Sequence, residues 1–173
     1  IYVYLIKIKK MQKLIQIISL LLMISIASAT TKAQNLVEYN NEVLYHYTLL
    51  DNQIARLDKG IFDEKVTQKE LNQEYALAKK MYKYNGKALK NITQHPKDKY
   101  FLPAVIKFYE EVNNTLENEY KQIIDMYNQE WKSEFGSKIT QLANEAVQKI
   151  SKEEENVIKQ QEKFAEDNDL KLN

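Results

Sequence analysis

Residues that interrupt regular structure are scarce in this chain, and that scarcity restricts its fold more than any other feature of the sequence. Only three glycines and two prolines occur among 173 residues. A many-stranded sheet needs turn residues between its strands, and five such residues cannot supply them. Long helices joined by short connections are the economical alternative, so the sequence predicts an all-α fold.

Apolar residues recur at helical spacing in the first half of the chain. Steps of three and four residues predict a first helical face. Its members are Val43, Tyr47, Leu50, Ile54, Leu57 and Ile61. Gly60 is positioned as the left-handed residue that ends this helix.

A capping-box pattern, Thr67-Gln68-Lys69-Glu70, predicts where the second helix starts. We expect that helix to end near Gln94, because His95 precedes a proline and such positions disfavour helix. Its apolar face comprises Leu71, Tyr75, Ala78, Tyr82, Asn85, Leu89 and Ile92. Asn85 either sets the register as a lone polar core residue or lies at an edge of the bundle. Gly86 is a weak point in this helix.

The second half of the chain predicts two further helices. Asp98 is placed to cap the third, and Pro103 predicts an irregular or kinked first turn there. The third helical face comprises Phe101, Val105, Phe108, Val112, Leu116, Tyr120, Ile123 and Tyr127. We expect a break around residues 133–136, with Ser137 capping the fourth helix. That helix presents Ile139, Leu142, Ala146, Ile150, Val157 and Phe164.

Four helices of this length, joined by short connections, are typical of an antiparallel up-down bundle with coiled-coil-like packing. Residues 34–170 have the length of one domain. Residues 171–173 form a short tail. The first ten residues, IYVYLIKIKK, lie upstream of Met11 and are excluded from the domain.

The segment that begins at Met11 has the pattern of a secretory signal peptide. Lys10 and Lys13 flank its start, and an apolar run from Leu14 to Ala27 follows. That run is 14 residues long, whereas a membrane-spanning helix needs about 20. We therefore expect a cleaved leader over residues 11–33, with Ala29 and Ala33 as the cleavage candidates. The mature protein would be periplasmic or at the cell surface, with no stable membrane span.

Charge and cysteine content restrict the functions of the mature chain. Residues 1–33 hold five lysines and no acid, so their removal leaves 20 basic and 24 acidic residues, a net charge of −4. Acids and lysines are interspersed along the chain, and we therefore expect no nucleic-acid partner. The absence of cysteine excludes disulfides, thiolate metal sites and attachment of a lipid to cysteine.

Motifs for catalysis or cofactor binding do not occur in the sequence. A ferritin-like metal site needs Glu-x-x-His pairs, but Val43 and Ile92 stand three residues before the two histidines. No phosphate-binding loop, catalytic serine motif or zinc-protease motif is found. The charged runs Glu110-Glu111 and Glu153-Glu154-Glu155 are interpreted as solvated faces. We expect no enzyme activity, no cofactor and no metal.

Tyrosine is unusually abundant, since ten of the twelve tyrosines follow residue 33. One interpretation is an adhesive contact surface, because tyrosine supplies contact area with little loss of entropy. The other is an A/T-rich coding sequence. Tyr45, Tyr84, Tyr100 and Tyr109 lie beside the predicted core faces, and an exposed cluster among them would favour a contact surface.

Three stretches carry a helical pattern of Phe-Tyr-Lys/Glu and Lys-Glu-Glu segments: VEYNNEV, AVIKFYEEVNNTLENEYKQIIDM and KISKEEENVIKQQEKFAEDNDL. This pattern resembles an uncharacterised family of small exported all-helical bacterial surface proteins, over most of residues 35–170. Pro103 and Gly86 depart from it. The resemblance implies a signal peptide and an all-helical fold, and it implies no activity.

Taken together, these features predict a non-catalytic exported bundle that acts in the cell envelope through protein or surface contacts. The binding partner and the oligomeric state stay open. One alternative is a haem- or metal-binding bundle that uses His46, with Met81 or Met126 as a second ligand. Another is an envelope chaperone with an open, concave helical surface.

Overall fold

A computed structural model describes residues 31–63, 65–129 and 132–170, with the backbone alone for residues 31–35. The α-helices are α1 (Thr31–Phe62), α2 (Gln68–Asn91), α3 (Phe101–Thr115), α4 (Lys121–Tyr127) and α5 (Phe135–Asp167). A π-helical turn (Leu116–Tyr120) joins α3 to α4 in one continuous rod. These described residues contain no strand, so the all-α prediction is confirmed.

The predicted leader falls almost wholly outside the described residues. Of residues 11–33, only the last three are described, and they begin α1. Ala29 lies outside the described part of the chain, and Ala33 is the third residue of α1. Residues 1–10 and 171–173 also lie outside it.

The start of α2 follows its sequence signal. The Thr67 hydroxyl accepts a hydrogen bond from the Glu70 N–H (3.2 Å), and the Glu70 carboxylate accepts one from the Thr67 N–H (2.8 Å). Glu70 thereby has a lowered pKa, chiefly through the bond from the Thr67 backbone. The helix ends at Asn91, three residues before the predicted position.

Gly60 has a different role from the one predicted. It lies inside α1, which continues to Phe62, and its φ is not positive, so it is not a left-handed stop. A Cβ atom at this position would lie 3.3 Å from a methyl carbon of Leu71. The glycine therefore allows α2 to approach α1 closely.

Pro103 causes no break in α3. It is the third residue of the helix, where a backbone N–H would have no intrahelical acceptor. Asp98 performs the predicted capping, because its carboxylate accepts hydrogen bonds from the N–H groups of Tyr100, Phe101 and Leu102 at 2.7–2.9 Å. The prediction of an irregular or kinked first turn is therefore wrong, because α3 is helical from Phe101 onward and the proline occupies a position that tolerates it.

The π-helical turn compensates for an extra residue in the apolar repeat. Phe108, Val112, Leu116 and Tyr120 are separated by three successive steps of four, which would rotate the face by about 120° on a straight α-helix. A π turn has more residues per turn and absorbs this rotation. Tyr120 and Ile123 therefore return to the core, and both are fully buried.

The start of α5 also differs from the prediction. Glu134 is the residue that precedes the helix, and no side chain caps it. Ser137 lies in the first turn, where its hydroxyl donates to the Glu134 carbonyl (3.0 Å) instead of accepting from a backbone N–H. Ser137 is therefore not the helix cap.

Side chains from α1, α3 and α5 meet in one core. The rings of Tyr47 and Phe108 pack edge to face with their centroids 4.9 Å apart, and Phe101 stacks on Phe164. Asn85 on α2 is buried, which decides between its two predicted positions. The helices therefore lie side by side in a bundle-like arrangement.

Hydrogen bonds from tyrosine hydroxyls join neighbouring helices throughout this core. The acceptors are the carboxylates of Asp98 and Asp58 and three backbone carbonyls. The five hydrogen bonds run from Tyr39 to Asp98, from Tyr120 to Asp58, from Tyr75 to Leu116, from Tyr109 to His46 and from Tyr127 to Ile61. Half of the ten tyrosines after residue 33 thus have a structural role.

Candidate contact surface

The outer face of α2 carries a stripe of lysines. Lys80, Lys83, Lys87 and Lys90 follow one another at steps of three and four, and all are exposed. At about 100° per residue, these four positions fall within a sector of about 80° on the helix. We define the α2 outer face as these four lysines together with Leu77 and Tyr84.

This face points to solvent because the opposite side of α2 is fixed in the core. Leu71, Ala78, Asn85 and Leu89 are buried, at steps that place them on one side of the helix. A Cβ at Gly86 would lie 3.4 Å from the ring of Tyr109, so this side of α2 packs against α3. The rotation of α2 about its axis is thereby fixed.

Tyr84 is the most exposed large apolar side chain in the described part of the chain. Its exposed fraction is 77%, and Leu77, seven residues earlier on the same side of the helix, is exposed by 39%. Both lie beside the lysines, about 40° and 60° away from Lys80 around the helix. The α2 outer face therefore combines positive charge with an aromatic ring and an aliphatic side chain.

Positive charge is concentrated around this helix. Residues 65–99 carry nine lysines and three acids, a net charge of +6. The remaining residues from Gln34 onward carry eleven basic and twenty-one acidic residues, a net charge of −10. The interspersed charge expected from the sequence therefore does not describe α2, which has no acid between Glu74 and Asp98.

The lysines of the α2 outer face have no acidic partner among the described residues. Salt bridges in this part of the chain involve Lys79, Lys107, Lys121, Lys149 and Lys163. Lys79 lies at the edge of the stripe and pairs with Glu117 of the π turn at 2.8 Å. The four lysines of the stripe are therefore available to an external anion.

The predicted tyrosine cluster is divided between surface and core. Tyr45 on α1, Tyr84 on α2 and Tyr100 before α3 are exposed, whereas Tyr109 is buried. Burial raises the pKa of the Tyr109 hydroxyl. No ring contact within the described residues joins any two of the three exposed tyrosines. Tyr84 is the one that lies beside a lysine stripe.

His46 lies half-buried on α1. Its Nδ1 atom is buried and has no hydrogen-bond partner in the described residues, and its backbone carbonyl accepts from Tyr109. Gln53, seven residues after His46, donates to the carbonyl of Glu74, seven residues before Met81 (3.3 Å). Met126 adjoins Tyr127, which contacts Ile61, so it lies about 20 Å farther along α1.

Two buried glutamates are held in ion pairs between helices. Glu153 is buried against Lys107 at 2.9 Å, and Glu119 is buried against Lys149. The interpretation of Glu153 as solvated is therefore wrong. Burial first, and then the charge of Asp58, raises the pKa of Tyr120. No three His, Asp or Glu side chains in the described part of the chain are grouped so as to hold a metal ion.

A hollow of about 360 Å³ lies between α4 and the start of α5. Its lining is Met126, Glu134, Phe135, Ser137, Lys138 and Gln141. His46 does not line it.

Comparison with protein-family models, with curated proteins and with solved structures finds no match. The resemblance to small exported surface proteins therefore stays a prediction. None of the described helices has both the length and the apolar character of a membrane-crossing segment.

Proposed function

We propose that the protein is a non-catalytic, exported helical bundle that acts in the cell envelope by binding another molecule through the α2 outer face. The observation that carries this proposal is the lysine stripe with Tyr84 at its side and no acidic partner for its lysines among the described residues. Tyrosine is enriched at protein interfaces, and charges around such a residue steer the approach of a partner and select it.

The proposal includes a finer description of the fold. The leader over residues 11–33 is removed at Ala29 or Ala33, and the remaining chain forms an antiparallel four-helix up-down bundle, with α3, the π turn and α4 as its third rod. Two contacts support the alternating directions. Tyr39 near the start of α1 meets Phe164 near the end of α5, and Tyr127 at the end of α4 meets Ile61 near the end of α1.

Export is tested on the protein as its own cells make it. Cell fractionation should place the protein in the periplasm or at the cell surface. N-terminal sequencing should then find the mature chain starting at Thr30 or Gln34. A protein that stays in the cytoplasm with Met11 still attached would refute this part of the proposal.

The contact function is tested by capture from the native envelope. The double variant Lys80→Glu/Lys87→Glu reverses two of the four charges of the stripe, and Lys138→Glu/Lys159→Glu makes the same charge change at exposed positions on α5. We expect the first variant to lose the envelope partner and the second to retain it. Equal retention by both variants would exclude the α2 outer face as the contact surface.

Haem or metal binding through His46 is the second candidate, and one observation favours it. The Nδ1 atom of His46 is buried without a hydrogen-bond partner in the described residues, and the proposed antiparallel arrangement, with Gln53 bonded to Glu74, would bring Met81 of α2 level with His46. Purified protein should then show a Soret band or bound metal by elemental analysis, and both should disappear in His46→Ala. Their absence from the purified protein would exclude this candidate.

The chaperone alternative receives no support from the packing of the described helices. Tyr47, Phe108 and Tyr120 fill the space between α1, α3 and α4, each with an exposed fraction of at most 1%. A client-binding cradle would need an open apolar surface in that place.

A further inference from the structure

We infer that the partner of the α2 outer face is an acidic amphipathic α-helix of another protein, which lies along α2. This inference rests on the proposed contact function and specifies the chemistry of its partner. Three features of this face indicate such a partner: the spacing of the lysines, the width of the stripe and the position of Tyr84.

The spacing of the positive charges matches a helical partner. Lys80, Lys83, Lys87 and Lys90 lie at steps of three and four, about 5 Å apart along the helix axis. Carboxylates at the same steps on a second helix form a row with the same period. Two helices packed side by side bring such rows together, as the flanking charges of coiled coils do.

The stripe of lysines is narrow, and a narrow stripe favours a rod-shaped partner over a flat one. The lysines cover a sector of about 80° on a single helix. At its edge, Lys79 is already neutralised by Glu117, whose side chain is 47% exposed. Glu117 and the other acids outside residues 65–99, which give the rest of the mature chain a net charge of −10, would be repelled by an anionic membrane. A single acidic helix along α2 would meet fewer of these acids than a flat membrane would.

Tyr84 and Leu77 supply the apolar part of the contact. They lie seven residues apart on one side of the lysines, with exposed fractions of 77% and 39%. An amphipathic partner helix would place its own apolar residues over these two side chains and its carboxylates over the lysines. Tyrosine at such a position is a frequent energetic centre of an interface, whereas the surrounding charges select the partner and steer its approach.

The inference is tested with synthetic peptides of defined sequence. One peptide of 21 residues carries glutamates at steps of three and four beside a leucine row. A second has the same composition in scrambled order. Binding to the native protein is measured by fluorescence anisotropy at low and high salt. We expect the patterned peptide to bind at least tenfold more tightly than the scrambled one, and we expect added salt to weaken it because salt screens exposed charges.

Substitutions in the protein test whether the peptide binds to the α2 outer face. Lys80→Glu/Lys87→Glu should reduce affinity at least tenfold, Tyr84→Ala about fivefold, and the control Lys138→Glu/Lys159→Glu less than twofold. A peptide with lysines in place of glutamates should bind the first variant better than the unaltered protein. Circular dichroism on each variant checks that the helices remain folded.

Other ligands define the results that would overturn the inference. Vesicles containing phosphatidylglycerol and a single-stranded DNA of 20 nucleotides are measured in parallel. Tighter binding to either one, or equal binding of the patterned and scrambled peptides, would refute an acidic helix as the partner. If no peptide binds but envelope capture still requires Lys80 and Lys87, the inference fails and the contact function stands. If capture is also independent of these lysines, both fail.

Discussion

Asp98 offers the sharpest test of how this fold is held together. The side chain is 4% exposed, and its carboxylate accepts hydrogen bonds from the N–H groups of Tyr100, Phe101 and Leu102 and from the Tyr39 hydroxyl. Burial, and then the bond to Asp98, raises the pKa of Tyr39, so its hydroxyl remains a donor. One carboxylate thus caps α3 and joins it to α1.

Replacing Asp98 by alanine removes both functions. Loss of a helix cap costs about 1 kcal/mol. Leaving the buried Tyr39 hydroxyl and the adjacent N–H groups without an acceptor costs about 2 kcal/mol more. We therefore expect the free energy of unfolding to fall by about 3 kcal/mol, which lowers the melting temperature by about 10 °C for a domain of this size.

Urea and thermal unfolding, followed by circular dichroism at 222 nm, measure this loss. Asp98→Asn keeps the shape and one acceptor oxygen, and it should lose about half as much stability. Tyr39→Phe should cost about 1 kcal/mol, and the double variant with Asp98→Ala should cost less than the sum of the two. A loss below 1 kcal/mol for Asp98→Ala, or strict additivity in the double variant, would refute the reasoning.

Three further predictions concern the rest of the fold. Burial raises the pKa of Tyr39, Tyr47, Tyr109 and Tyr120, so the folded chain retains four protons that the unfolded chain releases above pH ~10. These groups should therefore leave the free energy of unfolding unchanged below pH ~10 and lower it by about 5 kcal/mol per pH unit above that pH. The loss should be seen as a decrease in helical circular dichroism together with a gain in tyrosinate absorbance. An unchanged helical signal at pH 12 would contradict this. Gly86→Ala should raise stability by about 0.5–1 kcal/mol in urea unfolding, because the new methyl group meets the Tyr109 ring at 3.4 Å without overlap; a loss of stability would show that the contact is tighter. Deleting Asn118 should convert the π turn to α-helix with little change in melting temperature, whereas deleting Glu110 from α3 should lower the melting temperature clearly. Equal effects of the two deletions would refute the interpretation that the π turn accommodates one extra residue.

Local signals in the sequence predicted the parts of the fold that depend on neighbouring residues. The capping box of Thr67 and Glu70 needs only residues three apart, and it forms as predicted. The apolar repeats likewise identified the buried sides of α1 and α2. Steps of four from Phe108 to Tyr120 already contained the extra residue, but the sequence pattern alone did not show where a π turn would absorb it.

Features that depend on distant contacts could not be predicted in this way. The bond between Tyr39 and Asp98 joins residues 59 positions apart, and the close approach at Gly60 depends on Leu71 of another helix. The α2 outer face was missed for a different reason. A net charge taken over residues 34–173 hides the local excess of lysine, whereas the absence of acids between Glu74 and Asp98 marks the face in the sequence itself.

Three of the tyrosine hydrogen bonds have a consequence for sequence change over time. Tyr75, Tyr109 and Tyr127 each donate to a main-chain oxygen, which every amino acid provides. The side chains at Leu116, His46 and Ile61 can therefore be replaced, as far as these bonds are concerned, while the tyrosines cannot. Distantly related chains should keep the phenol rings at these positions, and these bonds place no demand on the identity of the residues that accept them, beyond what packing requires at Leu116 and Ile61.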